Sequence, residues 1–96
     1  MYENCCIIQG EVVGRHSLGD GFCVAVNIPK PRANHHLDQQ TIYCHFFGEL
    51  QAQAQAAVNK GDLLRIKGSI VNRDWQGNMF IVVEKFRVVE KGVLAA

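Results

Sequence analysis

The segment that most restricts the fold is GELQAQAQAAVNKGD, residues 48–62 of 96, because it alone has the composition of a helix. It is rich in Ala and Gln and places Leu50, Ala54, Ala57 and Val58 at helical spacing. Gly61 supplies a natural helix stop. The rest of the chain consists of strand-like segments and loops. The sequence therefore predicts a small β-structure against which one short helix packs.

Five segments have the β-branched and aromatic composition and the period-two alternation of strands. They are residues 5–14, 22–28, 41–47, 63–71 and 79–89. Gly10 interrupts the first segment, which indicates a bulge or a sharp bend, and the alternation of the fifth slips near Glu84, which predicts a bulge there. Residues 15–21 have the composition of a turn. Residues 29–40, which contain both prolines, are expected to form a long loop.

The predicted order is three strands, one short helix and two strands. Five short strands with a bend in the first can curl into a closed barrel, and the helix would plug one end. We therefore expect an all-β fold with one short helix, a five-stranded Greek-key barrel of the OB (oligonucleotide/oligosaccharide-binding) type, as a single domain over residues 1–96. Ligands of such barrels bind strands two and three, between the loops that join strands one to two and four to five.

Charge and motifs exclude several classes of protein. Ten Lys and Arg against nine Asp and Glu give a net charge of +1, which by itself does not indicate nucleic acid. No segment approaches the roughly 18 apolar residues of a membrane span, and MYENCCIIQG lacks the cationic start of a signal peptide. We expect a cytoplasmic protein with no membrane partner. Paired carboxylates, a nucleophile–base set and a phosphate loop are missing, so we expect neither an enzyme nor a cofactor.

The cysteines do not have the spacing of a metal site. Structural zinc favours C-x2-C pairs, and the four histidines do not form a spaced set with the thiols. We interpret the cysteines as small buried hydrophobic groups in a reducing compartment and predict no metal site. They are Cys5, Cys6, Cys23 and Cys44.

The segment IYCHFFGELQAQAQAAVNKGDLLRIKGSIVNRDW resembles the central part of the bacterial single-stranded DNA-binding protein (SSB) family. That family has a hydrophobic strand, Phe-Gly, a short helix, Lys-Gly, an alternating strand ending in Gly, an arginine-bearing stretch and a tryptophan. The corresponding residues are Phe47, Gly48, Lys60, Gly61, Gly68, Arg73 and Trp75. The resemblance covers about residues 5–89. It implies sequence-tolerant single-stranded DNA binding in replication, repair or restart, and assembly as a homodimer or homotetramer.

The chain also departs from that family. Two further tryptophans of family members would fall in the 29–40 loop and near Thr41, and neither place is aromatic here. The chain ends KGVLAA and lacks the acidic C-terminal tail that recruits partners. It resembles in this respect the primosomal replication protein B, which makes other replication proteins candidate partners. The alternative is an OB protein-interaction module with weak or no nucleic-acid binding. RNA is an alternative ligand, because stacking platforms accept both nucleic acids.

Aromatic residues are the first candidates for binding, since they stack on the bases of single strands. Trp75 stands in the polar loop between strands four and five; its alternative role is packing on the barrel or at a subunit contact. Phe47 matches a stacking residue of the family, although its pattern equally allows a core position. Tyr43 is expected to face outward together with Thr41 and His45, and His45 is a further candidate.

Basic residues are the second group, since cations spread along a surface track the phosphate backbone. Arg65 and Lys67 share the outer face of strand four, and Arg73 extends that line towards Trp75. The alternative is an ordinary solvated surface. Further cationic candidates are Arg15, Lys30 and Arg32, with Lys85 and Arg87 on the last strand. Outward apolar positions of strand one, which could contact a second copy, are Cys5, Ile7 and Val13.

Overall fold

The computed structural model, which describes residues 3–19, 21–29, 39–72 and 79–92, has the predicted order of three strands, one helix and two strands. The elements are β1 (Cys6–Leu18), β2 (Gly21–Pro29), β3 (Gln39–Phe46), α1 (Glu49–Ala57), β4 (Leu63–Asn72) and β5 (Met79–Glu90). No helix in these ranges is long and apolar enough to cross a membrane.

The strands close into a barrel in the order β1-β2-β3-β5-β4. All neighbouring pairs are antiparallel except β3 and β5, which run parallel. The barrel closes because β1 has two partners: its first half pairs with β4 up to Glu11, and the remainder pairs with β2. The predicted OB fold, a five-stranded barrel with one short helix, is therefore confirmed.

The irregularity predicted at Gly10 is divided between two positions. At Gly10 an added Cβ would collide with the backbone oxygen of Asn27, so only glycine allows β1 to pass so close to β2. The bulge itself lies three residues later, where the register moves from Val12 opposite Val26 to Gly14 opposite its next partner. The prediction of a turn at residues 15–18 is wrong, because these residues continue β1 and pair with β2.

The bulge predicted near Glu84 is confirmed. The register between β4 and β5 moves from Lys67 opposite Lys85 to Gly68 opposite Val83, so Glu84 has no residue opposite it. Because the extra residue shifts the alternation by one, the odd-numbered residue Val83 points inward, whereas the odd-numbered Lys85 points outward. An added Cβ on Gly68 would collide with the β5 backbone at this point.

The core is formed by alternate residues of the strands and by one face of α1. Phe46 lies at its centre, with its ring 6.0 Å from that of Phe22 and edge-on to that of Phe86 at 5.3 Å between centroids. The helix contributes Ala54. Other buried members are Val12, Val24, Val26, Cys44, Val58, Leu64, Ile66, Ile81 and Val83. The helix ends earlier than predicted: Val58 is already extended, and Gly61, at φ 94°, permits the following turn.

Burial of the cysteines is uneven. Cys23 and Cys44 are buried as predicted, Cys6 is half-buried, and Cys5 is exposed, so the prediction is wrong for Cys5, which lies ahead of β1. Burial, with the nearby Cys23 and Cys6 thiols, raises the pKa of Cys44 to about 12, so this thiol stays protonated and unreactive. Within the described ranges, no group of three or more His, Cys, Asp and Glu could hold a metal ion.

The buried carboxylate of Asp62 joins the turn after α1 to the end of β5. Its Oδ2 accepts hydrogen bonds from the backbone N–H of Asn59 at 2.8 Å and from Lys91 Nζ at 2.9 Å, and Oδ1 accepts one from the Gly92 N–H at 2.8 Å. Burial alone would raise the pKa of Asp62, but these three hydrogen bonds and the charge of Lys91 lower it overall. The network therefore favours the ionised side chain and stabilises the fold.

We predict that Asp62→Ala lowers the free energy of unfolding at pH 7 by roughly 1–3 kcal/mol, because it removes three hydrogen bonds that a buried carboxylate accepts from partly exposed donors. The lowered pKa of the folded state means that the stabilisation is present above the unfolded pKa of about 3.9 and is lost as the pH falls through the folded value. Thermal unfolding between pH 7 and pH 2 should thus show a smaller acid-induced loss for Asp62→Asn than for the wild type. The exposed carboxylate variant Glu3→Gln is the control; parallel pH profiles for Asp62→Asn and wild type would contradict the assignment.

Candidate nucleic-acid interface

Three aromatic side chains follow one another on the outer side of β3. Tyr43 and His45 occupy alternate positions of the strand, and Phe47 follows directly after its end. Between them, Cys44 and Phe46 point into the core, as the period of two requires. Tyr43 is 46% exposed and Phe47 is 45% exposed. The predicted outward position of Tyr43 is confirmed. For Phe47 the sequence allowed either a core or a stacking position, and in the structure the ring is exposed.

Small residues of β2 lie beside these rings. Tyr43 is opposite Ala25 and His45 is opposite Cys23 in the ladder. A Cβ on Gly21 would come within 3.1 Å of the ring of Phe47, so this ring lies directly against the glycine backbone. Because Ala25 and Cys23 are small, β2 presents no bulky side chain beside the rings of Tyr43 and His45 on this surface.

Phe80 of β5 completes this surface. The ring of His45 lies 4.3 Å from that of Phe80 and 6.1 Å from that of Phe47, between centroids, and is stacked on Phe47 with an interplanar angle of 27°. We call Tyr43, His45, Phe47 and Phe80 the aromatic shelf. Phe80 is not among the binding residues predicted from the sequence. Its alternation with the buried Ile81 could have placed it outside the barrel, but the parallel pairing that brings it beside His45 is not visible in the sequence.

Polar groups border the shelf next to Tyr43. Thr41 Oγ1 donates a hydrogen bond to Asn27 Oδ1 at 2.7 Å, and Asn27 Nδ2 donates to Gln39 Oε1 at 3.2 Å. These side chains are at the surface and join β2 to β3. They provide donors and acceptors at one end of a row of rings, an arrangement suited to the edges and faces of unpaired bases.

Arg65 and Lys67 lie on another side of the barrel. Since β5 separates β4 from β3, the structure does not place these two cations beside Tyr43. They instead lie opposite Arg87 and Lys85 of β5. These four cations border a groove of about 420 Å³, which we call the basic groove. Its other lining residues are Ile7, Ile66 and Phe86.

Arg15 contacts the helix and the core. Its Nη2 donates a hydrogen bond to the carbonyl oxygen of Gln55 in α1 at 2.9 Å, and its guanidinium lies 5.2 Å from the centroid of the Phe22 ring. The side chain therefore holds α1 against the barrel wall. The remaining candidates lie outside the described residues: Lys30, Arg32, Arg73 and Trp75.

We predict that Arg15→Gln lowers the free energy of unfolding by about 1 kcal/mol, because it removes a hydrogen bond and a cation–π contact near the surface. Chemical denaturation would measure this loss. Lys60→Gln removes the same charge from an exposed position and serves as the control. Equal stability of the two variants would show that the contacts of Arg15 contribute nothing.

A closed five-stranded barrel with its helix between β3 and β4 defines the OB class, and solved structures agree with it. A small single-stranded DNA-binding protein from Mycoplasma pneumoniae superposes with a TM-score of 0.74 at 16% identity, over 96% of this chain and 100% of that one. The mitochondrial single-stranded DNA-binding protein of S. cerevisiae gives a TM-score of 0.75 at 14% identity, over 93% and 97%. The SSB domain of a Synechococcus protein gives 0.71 at 15% identity, over 91% and 97%.

At these identities the likeness shows that the chain has the fold of SSB-type proteins. Comparison of the sequence with models of protein families gives no match. Comparison with curated protein sequences gives no match either.

Proposed function

We propose that this protein binds single-stranded DNA without sequence preference, by stacking bases on the aromatic shelf, and that it acts by binding and not by catalysis. The observation that carries the proposal is the aromatic row along β3, in which Tyr43 and Phe47 are exposed and His45 between them is half-buried, on the strand that binds ligands in OB folds. The three structural neighbours described above are themselves single-stranded DNA-binding or SSB proteins, which supports the same ligand.

Stacking explains why such a surface would accept any sequence. Every base has a π-face, so an aromatic ring contributes roughly 1–3 kcal/mol per base whatever the base is. Two rings of the shelf, Tyr43 and Phe47, are already exposed, so stacking on them would require little rearrangement. RNA has the same open base faces and is the alternative ligand.

The proposal includes assembly and location. We propose a cytoplasmic homodimer or homotetramer that acts in replication, repair or restart, with other replication proteins as partners. The proposed contact between copies uses the outward positions of β1 and the residue before it. Cys5 and Ile7 are exposed there, whereas Val13 is half-buried.

We predict that Tyr43→Ala and Phe47→Ala each weaken binding of an oligo-dT strand by roughly 1–3 kcal/mol, or about five- to 150-fold in Kd, because each removes one stacking ring. Fluorescence anisotropy of a labelled oligonucleotide measures the change. Tyr43→Phe, which keeps the ring, should retain most of the affinity. Val89→Ala, an exposed apolar change on β5 outside the shelf, is the matched control.

The same oligo-dT titration, repeated at several salt concentrations, measures how binding depends on salt. If about three phosphates are neutralised, log K should fall against log salt with a slope near −2, and duplex DNA should bind much more weakly. A wild-type protein that shows no binding of oligo-dT at low salt would instead favour the protein-interaction module, for which the exposed Ile7 would be the contact.

We further propose that Trp75 adds a stacking ring next to the shelf and that Arg73 contacts the adjacent phosphate, with Lys30 and Arg32 extending the path. Trp75→Ala should cost roughly 1–3 kcal/mol of single-strand affinity with little change in melting temperature. Arg73→Ala should reduce the salt slope by about 0.7. Quenching of the single tryptophan by poly-dT measures the first directly. If Trp75→Ala unfolds the protein or breaks the oligomer while affinity per folded unit is unchanged, the indole is structural.

A further inference from the structure

Two pairs of like charge lie opposite each other across β4 and β5. Arg65 is opposite Arg87 in the register, and Lys67 is opposite Lys85. All four side chains are exposed, and the two pairs are adjacent rows of the outer face because the residues alternate along each strand. The basic groove therefore concentrates four positive charges on a protein whose net charge is +1.

This arrangement of like charges lowers the stability of the fold. Like charges directly opposite on neighbouring strands repel each other, whereas opposite charges there attract. Across the part of the chain that the structure describes, the only ion pair joins Asp62 to Lys91, so none of the four cations has a carboxylate partner there. The nearest acidic residue along β5, Glu84, accepts a 3.5 Å hydrogen bond from Ser69. The groove thus has the charge of a site that takes its counter-ions from outside the molecule.

The shape of the groove limits the kind of ligand that can bind there. Two rows of cations border a lining that includes Ile7 and Phe86. A linear polyanion with apolar groups between its charges matches such a surface, and a phosphodiester backbone has this chemistry. A second copy placed face to face over the groove would bring four positive charges against four. The proposed contact between copies through β1 must therefore leave the groove open, and it can use Cys5 but not the side of Ile7 that lines the groove.

One β-strand, β5, connects the basic groove to the aromatic shelf. Phe80 of the shelf and Lys85 of the groove both lie on β5, five residues apart, which corresponds to about 17 Å along the strand. The bulge at Glu84 separates them and turns Lys85 and Arg87 outward. A ligand that leaves the shelf at Phe80 and follows β5 reaches the groove after passing the exposed carboxylate of Glu84, which lies between the two surfaces.

We propose that the basic groove, formed by Arg65, Lys67, Lys85 and Arg87, is a second binding site that holds the phosphodiester backbone of the same single strand whose bases stack on the shelf. This inference rests on the proposed function of the shelf. It assigns different chemistry to the two surfaces: the shelf contacts bases, and the groove contacts only phosphates.

An abasic oligonucleotide, which has the sugar–phosphate backbone without bases, tests the groove separately from the shelf. At low salt the wild type should bind it. The double variant Lys67→Gln/Lys85→Gln should bind it roughly tenfold or more weakly, and the salt slope should fall by about 1.4, or by about 0.7 for Lys67→Gln alone. Tyr43→Ala and Phe47→Ala should leave abasic binding unchanged. Lys60→Gln removes one exposed charge away from the groove and is the matched control for Lys67→Gln.

Stability gives a second readout. Because the double variant relieves a like-charge pair, its melting temperature should equal or exceed that of the wild type while its affinity falls. Unchanged abasic binding by the double variant would overturn the groove as a site, even where oligo-dT binding still depends on Tyr43 and Phe47. Equal loss in Lys60→Gln and Lys67→Gln would also overturn it, as would an effect of the double variant on duplex DNA alone. If instead oligo-dT and the abasic strand bind with equal affinity, base stacking contributes nothing and the proposed function of the shelf is wrong, whereas the groove is still supported as a phosphate-binding site.

Discussion

Closure of the barrel by β1 is the constraint on which the other features depend. One strand pairs with β4 through its first half and with β2 through its second, and the change of partner takes place around Gly10 and the bulge at Val13. A side chain at Gly10 would collide with the β2 backbone, so closure at this point requires glycine. Once the barrel is closed, every strand has an inner and an outer side, and the alternation of each strand decides what the surface carries.

The two candidate surfaces are consequences of that alternation. In the second half of β3 the outward residues Tyr43 and His45 are aromatic, and Cys44 and Phe46, which alternate with them, are buried in the core. On β5 the bulge at Glu84 moves the alternation by one residue. Without it, Lys85 and Arg87 would have the same orientation as the buried Ile81 and Val83, and two charges would enter an apolar core at a cost of several kcal/mol. The bulge therefore allows one strand to carry an aromatic ring at one end and cations at the other.

Local signals account for what the sequence predicted correctly. The order of elements, the outward position of Tyr43 and the irregularity at Glu84 each follow from periodicity within one segment. What it missed depends on pairing between distant segments. Phe80 lies beside His45 only because β3 and β5 run parallel, and Arg65 lies opposite Arg87 only because β4 pairs with β5 in this register. The extension of β1 to Leu18 likewise results from its ladder with β2, which overrides the turn-like composition.

Net charge is a poor guide to binding in a protein of this kind, because the charges are sorted by position. The groove contains four cations, whereas the exposed carboxylates of Glu11 and Glu90 lie one row further along the same sheet, on either side of Leu63. Carboxylates at that distance lower the net charge without pairing with the cations in the groove. They also limit the length of surface over which a polyanion is attracted, since Coulomb interactions between exposed charges are largely screened beyond about 8–10 Å in physiological salt. A DNA strand following β5 would thus be repelled beyond Arg87, so the arrangement of charge limits the binding site at this edge of the sheet.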